Sequence, residues 1–163
     1  SELPFDPMQS VIVGTGMAGG IIINGQLYNG NNCGAGEFGM MPYLEHYYEY
    51  YCSGQFFTRK YGITGEVLHA RALKGDKEAL QIFDEFGAHL GNALLAILYA
   101  LDIQLIILGG SVSKAYAFYQ DALWKRLQTF VFGHTLERLK IEISEDDSIP
   151  ILGAAALYYN AQV

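Results

Sequence analysis

From Asp76 to Leu101, apolar residues return every three or four positions: Ala79, Leu80, Phe83, Phe86, Leu90, Leu94, Ile97, Leu98 and Leu101. That spacing marks one face of a helix, and the run predicts a central helix of about seven turns. Gly87 and Gly91, one turn apart within it, predict close packing against another element. Elsewhere the apolar runs are shorter. Ser10–Gly14, Gly19–Ile23 and Gln26–Tyr28 read as three strands, the last two joined by Asn24-Gly25, a dipeptide suited to a type I′ turn. Gln104–Leu108 is almost wholly apolar, as in a strand buried on both faces, and Lys140–Ser144 alternates like a final strand.

Helices are also predicted from Pro42 to about Cys52, from an N-cap at Ser53 to about Tyr61, and from Thr64-Gly65-Glu66 to near Gly75. Two more are expected at Tyr116–Phe130 and from Pro150-Ile151-Leu152-Gly153 to near Asn160. Asn29–Gly39 is rich in Gly and Asn and reads as a loop, and residues 1–8 read as a short lead-in. No linker, repeat or low-complexity tract divides the chain, so the pattern predicts one α/β domain.

Composition narrows the picture. A chain of 163 residues can bury a real core, and 51% hydrophobic with 17% charged residues argues against disorder. The net charge of −7 lacks the basic face that nucleic acid requires, so no nucleic-acid partner is expected through this domain. Cys33 and Cys52 show no metal-ligand spacing and read as free thiols in a reducing compartment. Ser1-Glu2-Leu3-Pro4 does not look like a signal peptide, and no apolar stretch reaches the ~18 residues of a membrane span. A cytoplasmic protein without membrane contact is the expectation.

Three glycine turns carry the candidate chemistry. Gly14-Thr15-Gly16 lies between two apolar strands, as the tip of a hairpin. Glycine lets a bound group approach the backbone and Thr15 adds a hydroxyl, so the tip could cradle phosphate. It is neither a Walker A loop nor a dinucleotide fingerprint, because no Gly-Lys-Ser/Thr and no helix follow. A merely structural hairpin tip is the competing reading. Gly109-Gly110-Ser111 turns a strand into a helix, where α/β sheets hold ligands. Gly153-Ala154-Ala155 opens the last predicted helix, for close helix packing or for approach of a flat base.

In this order the motifs resemble the ROK family of sugar kinases and sugar-responsive repressors. Gly14-Thr15-Gly16-Met17-Ala18-Gly19-Gly20-Ile21 is similar to its GTGxGGGI, and Gly34-Ala35-Gly36-Glu37-Phe38-Gly39 to its GxAGExGH. Glu49-Tyr50-Tyr51-Cys52-Ser53-Gly54 resembles ExxxSG, Gly109-Gly110-Ser111-Val112-Ser113 resembles GGxVS, and Gly153-Ala154-Ala155 resembles GAA. The resemblance implies the C-terminal half of an actin-like, hexokinase-like ATPase fold (ribonuclease H-like), with a three-stranded antiparallel start and a mixed sheet flanked by helices. It implies ATP with Mg²⁺ against Gly14, Thr15, Gly16, Gly109, Gly110, Ser111 and Gly153. It also implies a small sugar held by Glu37 and Glu49, and a homo-oligomer. Glu45, one turn from Glu49, competes for the second role but lacks the Ser53-Gly54 spacing.

The family places a phosphate-binding Asp-x-Gly-Gly-Thr turn and a catalytic Asp, in an Asn-Asp pair, upstream of GTG. Thirteen residues precede Gly14, and their acids, Glu2 and Asp6, are not in an Asn-Asp context. The chain is therefore expected to be a C-terminal lobe without its own catalytic Asp, inactive alone. Alternatives are a repressor's sugar-sensing domain and a catalytically dead fragment.

Two departures stand out: Met40 replaces the family's histidine, and the cysteine-bearing zinc segment is missing, so no structural zinc is expected. His46 without cysteine partners is a poor zinc site. Tyr43, Tyr47, Tyr48, Tyr50 and Tyr51 are expected around one short helix, where they pack in place of the zinc loop, meet another subunit or stack on a sugar. His69, His89 and His134 receive no role, and Arg59, Lys60 and Arg71 read as solvated helix faces.

Overall fold

The structure, a computed structural model, describes residues 9–13, 16–17 and 19–144, with β1 known by its backbone. Gly14, Thr15, the lead-in 1–8 and the predicted C-terminal helix with Gly153 lie outside the described residues. The described residues open with β1 (Gln9–Val13), β2 (Gly19–Ile23) and β3 (Gln26–Tyr28), an antiparallel meander. Asn24 and Gly25 take φ of 54° and 72°, as a type I′ turn requires.

A loop with a 3-10 turn at Phe38–Met40 leads to a small hairpin, β4 (Pro42–Tyr43) and β5 (His46–Tyr47). Then come α1 (Tyr48–Cys52), α2 (Gln55–Tyr61), α3 (Gly65–Leu73) and α4 (Lys77–Leu101). β6 (Leu105–Leu108), a 3-10 helix at Ser111–Ala115, α5 (Tyr116–Leu127), α6 (Gly133–Arg138) and β7 (Lys140–Ile143) complete the described chain.

The main sheet has the order β3-β2-β1-β6-β7, and β6 runs parallel to both of its neighbours. β6 is buried throughout: Ile106 and Leu108 join the main core, while the alternating Leu105 and Ile107 are buried outside that cluster.

α4 is the spine of that core. Its start is capped by the Asp76 carboxylate, which accepts from the Ala79 N–H at 3.1 Å, and Asp102 ends it in the left-handed region. The predicted close packing of Gly87 and Gly91 is against α5. A Cβ on Gly87 would stand 2.4 Å from the Tyr119 carbonyl oxygen, and one on Gly91 2.6 Å from the Arg126 Cβ. Phe56 and Phe57 of α2 pack on Phe86 of the same spine. No described helix is long and apolar enough to cross a membrane.

The structure departs from the sequence reading at residues 42–53. A helix was expected from Pro42, but 42–47 form the β4–β5 hairpin, turned through Leu44 at φ 51°, and α1 is only five residues long. Of the five tyrosines expected around one helix, only Tyr48, Tyr50 and Tyr51 are on α1, while Tyr43 and Tyr47 are in the hairpin. Ser53 is not the side-chain cap expected of it: α2 starts after Gly54, and the Ser53 carbonyl accepts from the Phe56 N–H at 3.0 Å. α6 is an element the apolar pattern did not announce, since none of its residues is buried. Lys60 pairs with Glu85, and Arg71 with Asp76 and Glu78, so neither is simply solvated.

Candidate functional site

β1 and β6 are parallel and in register, with Val13 opposite Leu108. The chain therefore leaves β1 and β6 at the same edge of the sheet. Ligands of α/β sheets bind at the carboxyl ends of neighbouring strands. Gly109 is buried, and Gly110 takes φ 79° with ψ −175°, a region open essentially to glycine. The Gly110 carbonyl accepts from the Ser113 hydroxyl at 2.7 Å, which closes the turn.

The turn after β1 is held from below. Met17 is fully buried at φ 46°, and its carbonyl accepts from the Gly39 N–H at 3.0 Å. Gly36 sits against the start of β2, where its carbonyl accepts from the Gly19 N–H at 2.7 Å. A Cβ on Gly39 would lie 3.0 Å from the Met17 Cβ and 3.1 Å from the Glu49 Cβ. Through these glycine contacts the 34–39 loop, the β1–β2 turn and α1 come into one cluster.

Glu49, on α1, is half-buried. Its Oε2 lies 3.0 Å from the point a Cβ on Gly16 would occupy, so Gly16 keeps open the space its carboxylate fills. Gly54, after α1, faces the Ser111 hydroxyl: a Cβ there would be 3.8 Å from Oγ. Gly16, Glu49, Gly54 and Ser111 thus line one cavity of about 560 Å³, together with Glu66 and His69 of α3. Phe57 and Phe83 add apolar wall. Of the residues singled out in the sequence, the cavity unites Gly16, Ser111 and Glu49, with Gly109 and Gly110 just before Ser111. Glu37 is exposed and is not part of its lining. Gly14, Thr15 and Gly153 lie outside the described residues.

Met17, Glu66 and His69 were not singled out from the sequence. A lone histidine on a helix carries no signal of the cavity it faces, because α3 meets the Ser111 turn only through the fold. Tyr43 packs against both Tyr48 and Tyr51, and Tyr43 and Tyr51 reach His89 of α4. Cys33 is exposed and Cys52 buried, both free, and burial pushes the Cys52 thiol far up. Among the described residues no group of three or more His, Cys, Asp or Glu is placed to hold a metal ion.

The sequence pattern of the ROK family matches residues 5–161. The N-acetylgalactosamine kinase AgaK of Shewanella sp. (strain ANA-3) is 34% identical over 128 residues, 64% of this chain and 42% of that protein. An N-acetyl-D-glucosamine kinase of Mannheimia succiniciproducens is 28% identical over 188 residues, 96% of this chain and 60% of that protein. The chain spans about half the length of the curated relatives it matches. In structure it superposes on a ROK family glucokinase from Streptomyces griseus, solved with glucose and AMPPNP, with a TM-score of 0.75 and 22% identity. That match covers 99% of this chain and 61% of the other. The expected fold, the C-terminal half of an actin-like ATPase fold, is therefore present. With a family match over nearly its whole length, the chain belongs to the ROK family.

Proposed function

We propose that this chain is the nucleotide- and sugar-binding C-terminal lobe of an ATP-dependent kinase of hexoses or N-acetylhexosamines. The observation that carries the reading is the Glu49 carboxylate against Gly16, in a cavity that also reaches Ser111. A carboxylate beside a phosphate turn repels phosphate unless a hydrogen-bond donor stands between them. A sugar hydroxyl is such a donor, and one carboxylate can accept from two neighbouring hydroxyls.

In this reading the turn with Gly14, Thr15 and Gly16 holds the terminal phosphates, and Gly109, Gly110 and Ser111 wall the adenosine. Gly153 adds to the nucleotide side, and Glu49 orients the sugar. Glu37 is a second sugar carboxylate, on the loop whose Gly39 touches Glu49. The sugar oxygen attacks the γ-phosphorus, the bond to the β–γ bridging oxygen breaks, and ADP leaves. The hydroxyl proton passes to an Asp that the family resemblance assigns to the N-terminal lobe. Mg²⁺ in such sites is carried mainly by phosphates and water. The described residues offer no cluster for it, and no step is assigned to a protein-held ion.

Calorimetric titration with AMPPNP, and with glucose, N-acetylglucosamine and N-acetylgalactosamine, tests the reading. Glu49→Gln is expected to weaken sugar binding by about 1.5–3 kcal/mol, the range for hydrogen bonds to charged groups, and to spare AMPPNP. Thr15→Val is expected to do the reverse. Unchanged affinity of Glu49→Gln for every sugar sinks the sugar assignment. Sugar binding without AMPPNP binding favours the repressor reading instead. The chain alone is expected to show no sugar-dependent ATP turnover in a coupled assay, since the Asp is assigned elsewhere.

A further inference from the structure

The five-residue α1 that carries Glu49 is too short to hold its own direction, and the strands before it have two residues each. Its orientation comes from its packing. Tyr48, Tyr51 and Cys52 fall on one face by their i, i+3 and i+4 spacing, and Glu49 is about 100° round from Tyr48. Whatever docks that face also aims Glu49.

Tyr43 and His89 dock it. The Tyr43 ring stacks on Tyr48 at 4.4 Å and meets Tyr51 edge-on at 5.4 Å. Its hydroxyl lies 3.0 Å from His89 Nδ1 and accepts from Asn92 Nδ2 at 2.7 Å, both on α4. The Tyr48 hydroxyl reaches the Asn92 carbonyl at 3.4 Å. The His89 ring lies 4.9 Å from Tyr51 and 5.6 Å from Phe56. Its Nε2 faces Glu85 Oε1 at 3.4 Å, and Glu85 is held in turn by Lys60 and Tyr61 of α2. Burial pushes the His89 imidazole below its ordinary value. In the neutral ring, Nε2–H points to Glu85 and Nδ1 accepts from Tyr43, the tautomer this network selects.

We infer that Tyr43 and His89 are positioning residues that lock α1 onto α4 and thereby hold the Glu49 carboxylate at the Gly16 turn. The inference rests on the reading of Glu49 as the sugar carboxylate. It differs from a general stabilising role because α1, with five residues, depends on these contacts for its place, whereas α2 and α4, which His89 also touches, are longer and packed elsewhere in the core.

The test uses Tyr43→Phe, which keeps the ring and removes the hydroxyl, together with His89→Ala and His89→Gln. The glutamine amide can accept from Tyr43 and donate to Glu85. Two readouts are taken on the whole chain: amide hydrogen exchange, and Kd for AMPPNP and for N-acetylglucosamine. Tyr43→Phe and His89→Ala are expected to speed exchange at residues 48–52 at least tenfold, with α4 and α5 unchanged. They are expected to weaken sugar binding about tenfold and to leave AMPPNP within twofold, while His89→Gln restores both. Exchange at 48–52 that is unchanged, or that rises equally throughout the chain, overturns the inference whatever the sugar titration reads. A Glu49→Gln variant that binds sugar as the parent does overturns the sugar reading of Glu49, and the exchange result alone then decides the positioning.

Discussion

At Gly36 the backbone takes φ 95°, and a Cβ would stand 1.6 Å from the Gly19 carbonyl oxygen. Neither can be relieved by turning a side chain. Gly36→Ala is therefore expected to cost about 3 kcal/mol or more, from left-handed strain plus overpacking against backbone. Gly34, two residues earlier, has nothing within 4 Å of its Cβ position, and Gly34→Ala should be nearly neutral. Urea denaturation of the two variants checks the contrast, and equal effects would contradict this account of the loop. The glycine-rich motif was legible in the sequence, but the glycine that bears the constraint was not, because its neighbour is on another strand. Glu49 was legible over Glu45 through the Ser53-Gly54 spacing, and the fold puts Glu49 beside Gly16 while Glu45 sits in the turn of the β4–β5 hairpin.

Helices α4 and α5 approach more closely than a Cβ allows. Alanine favours a helix over glycine by about 1 kcal/mol, so propensity alone would make Gly87→Ala stabilising. Packing opposes it: the added Cβ meets the Tyr119 carbonyl oxygen at 2.4 Å, and that backbone can withdraw only by moving α5. Overpacking of this kind costs about 1–3 kcal/mol or more, so packing wins. Gly87→Ala should lower the melting temperature by several degrees, since about 1 kcal/mol shifts a domain of this size by a few degrees. A rise would mean that the contact is slack. The central helix itself was legible because its period repeats over many turns. The β4–β5 hairpin was not, since two-residue strands have no periodicity to read and Tyr43 finds its partner His89 on another element, 46 positions away.

Across the molecule, one titrating group ties the hairpin, α1, α2 and α4 together. His89 faces Glu85 on its own helix, Lys60 on α2, Tyr43 of the hairpin and Tyr51 of α1, with Tyr61 beside Glu85. Burial lowers its pKa from 6.5, outweighing the opposing pull of Glu85. A base whose folded pKa is depressed binds its proton more readily in the unfolded chain, so stability falls as protons are added. Stability is expected to be level above pH about 6.5 and to decline as the pH drops from there through the lowered His89 pKa, with His89→Gln removing that slope. Asp76, held down by the Arg71 hydrogen bond and the Ala79 N–H, loses its contribution only below its ordinary 3.8, so the two windows are separate. Thermal melts from pH 8 to pH 5 check the sign, and a stability that rises on acidification would contradict it.

By itself the sequence determined what depends on local pattern. The period of α4, the glycine pair on α4, the Asn24-Gly25 turn and the apolar strand of β6 are written in neighbouring residues, and so is the ordered set of motifs that marks the family. The tertiary structure decided what depends on residues far apart in the chain. It laid β6 parallel to β1, with Val13 opposite Leu108, so that segments far apart in the chain leave the sheet at one edge. It also turned residues 42–47 into a hairpin, brought His69 and Glu66 to the cavity, and left Glu37 outside its lining. The physical reason is common to all of these. A helix period or a turn is stabilised within a few residues, whereas a cavity wall or a clamp such as Tyr43–His89 gains its free energy only when distant segments bury surface together.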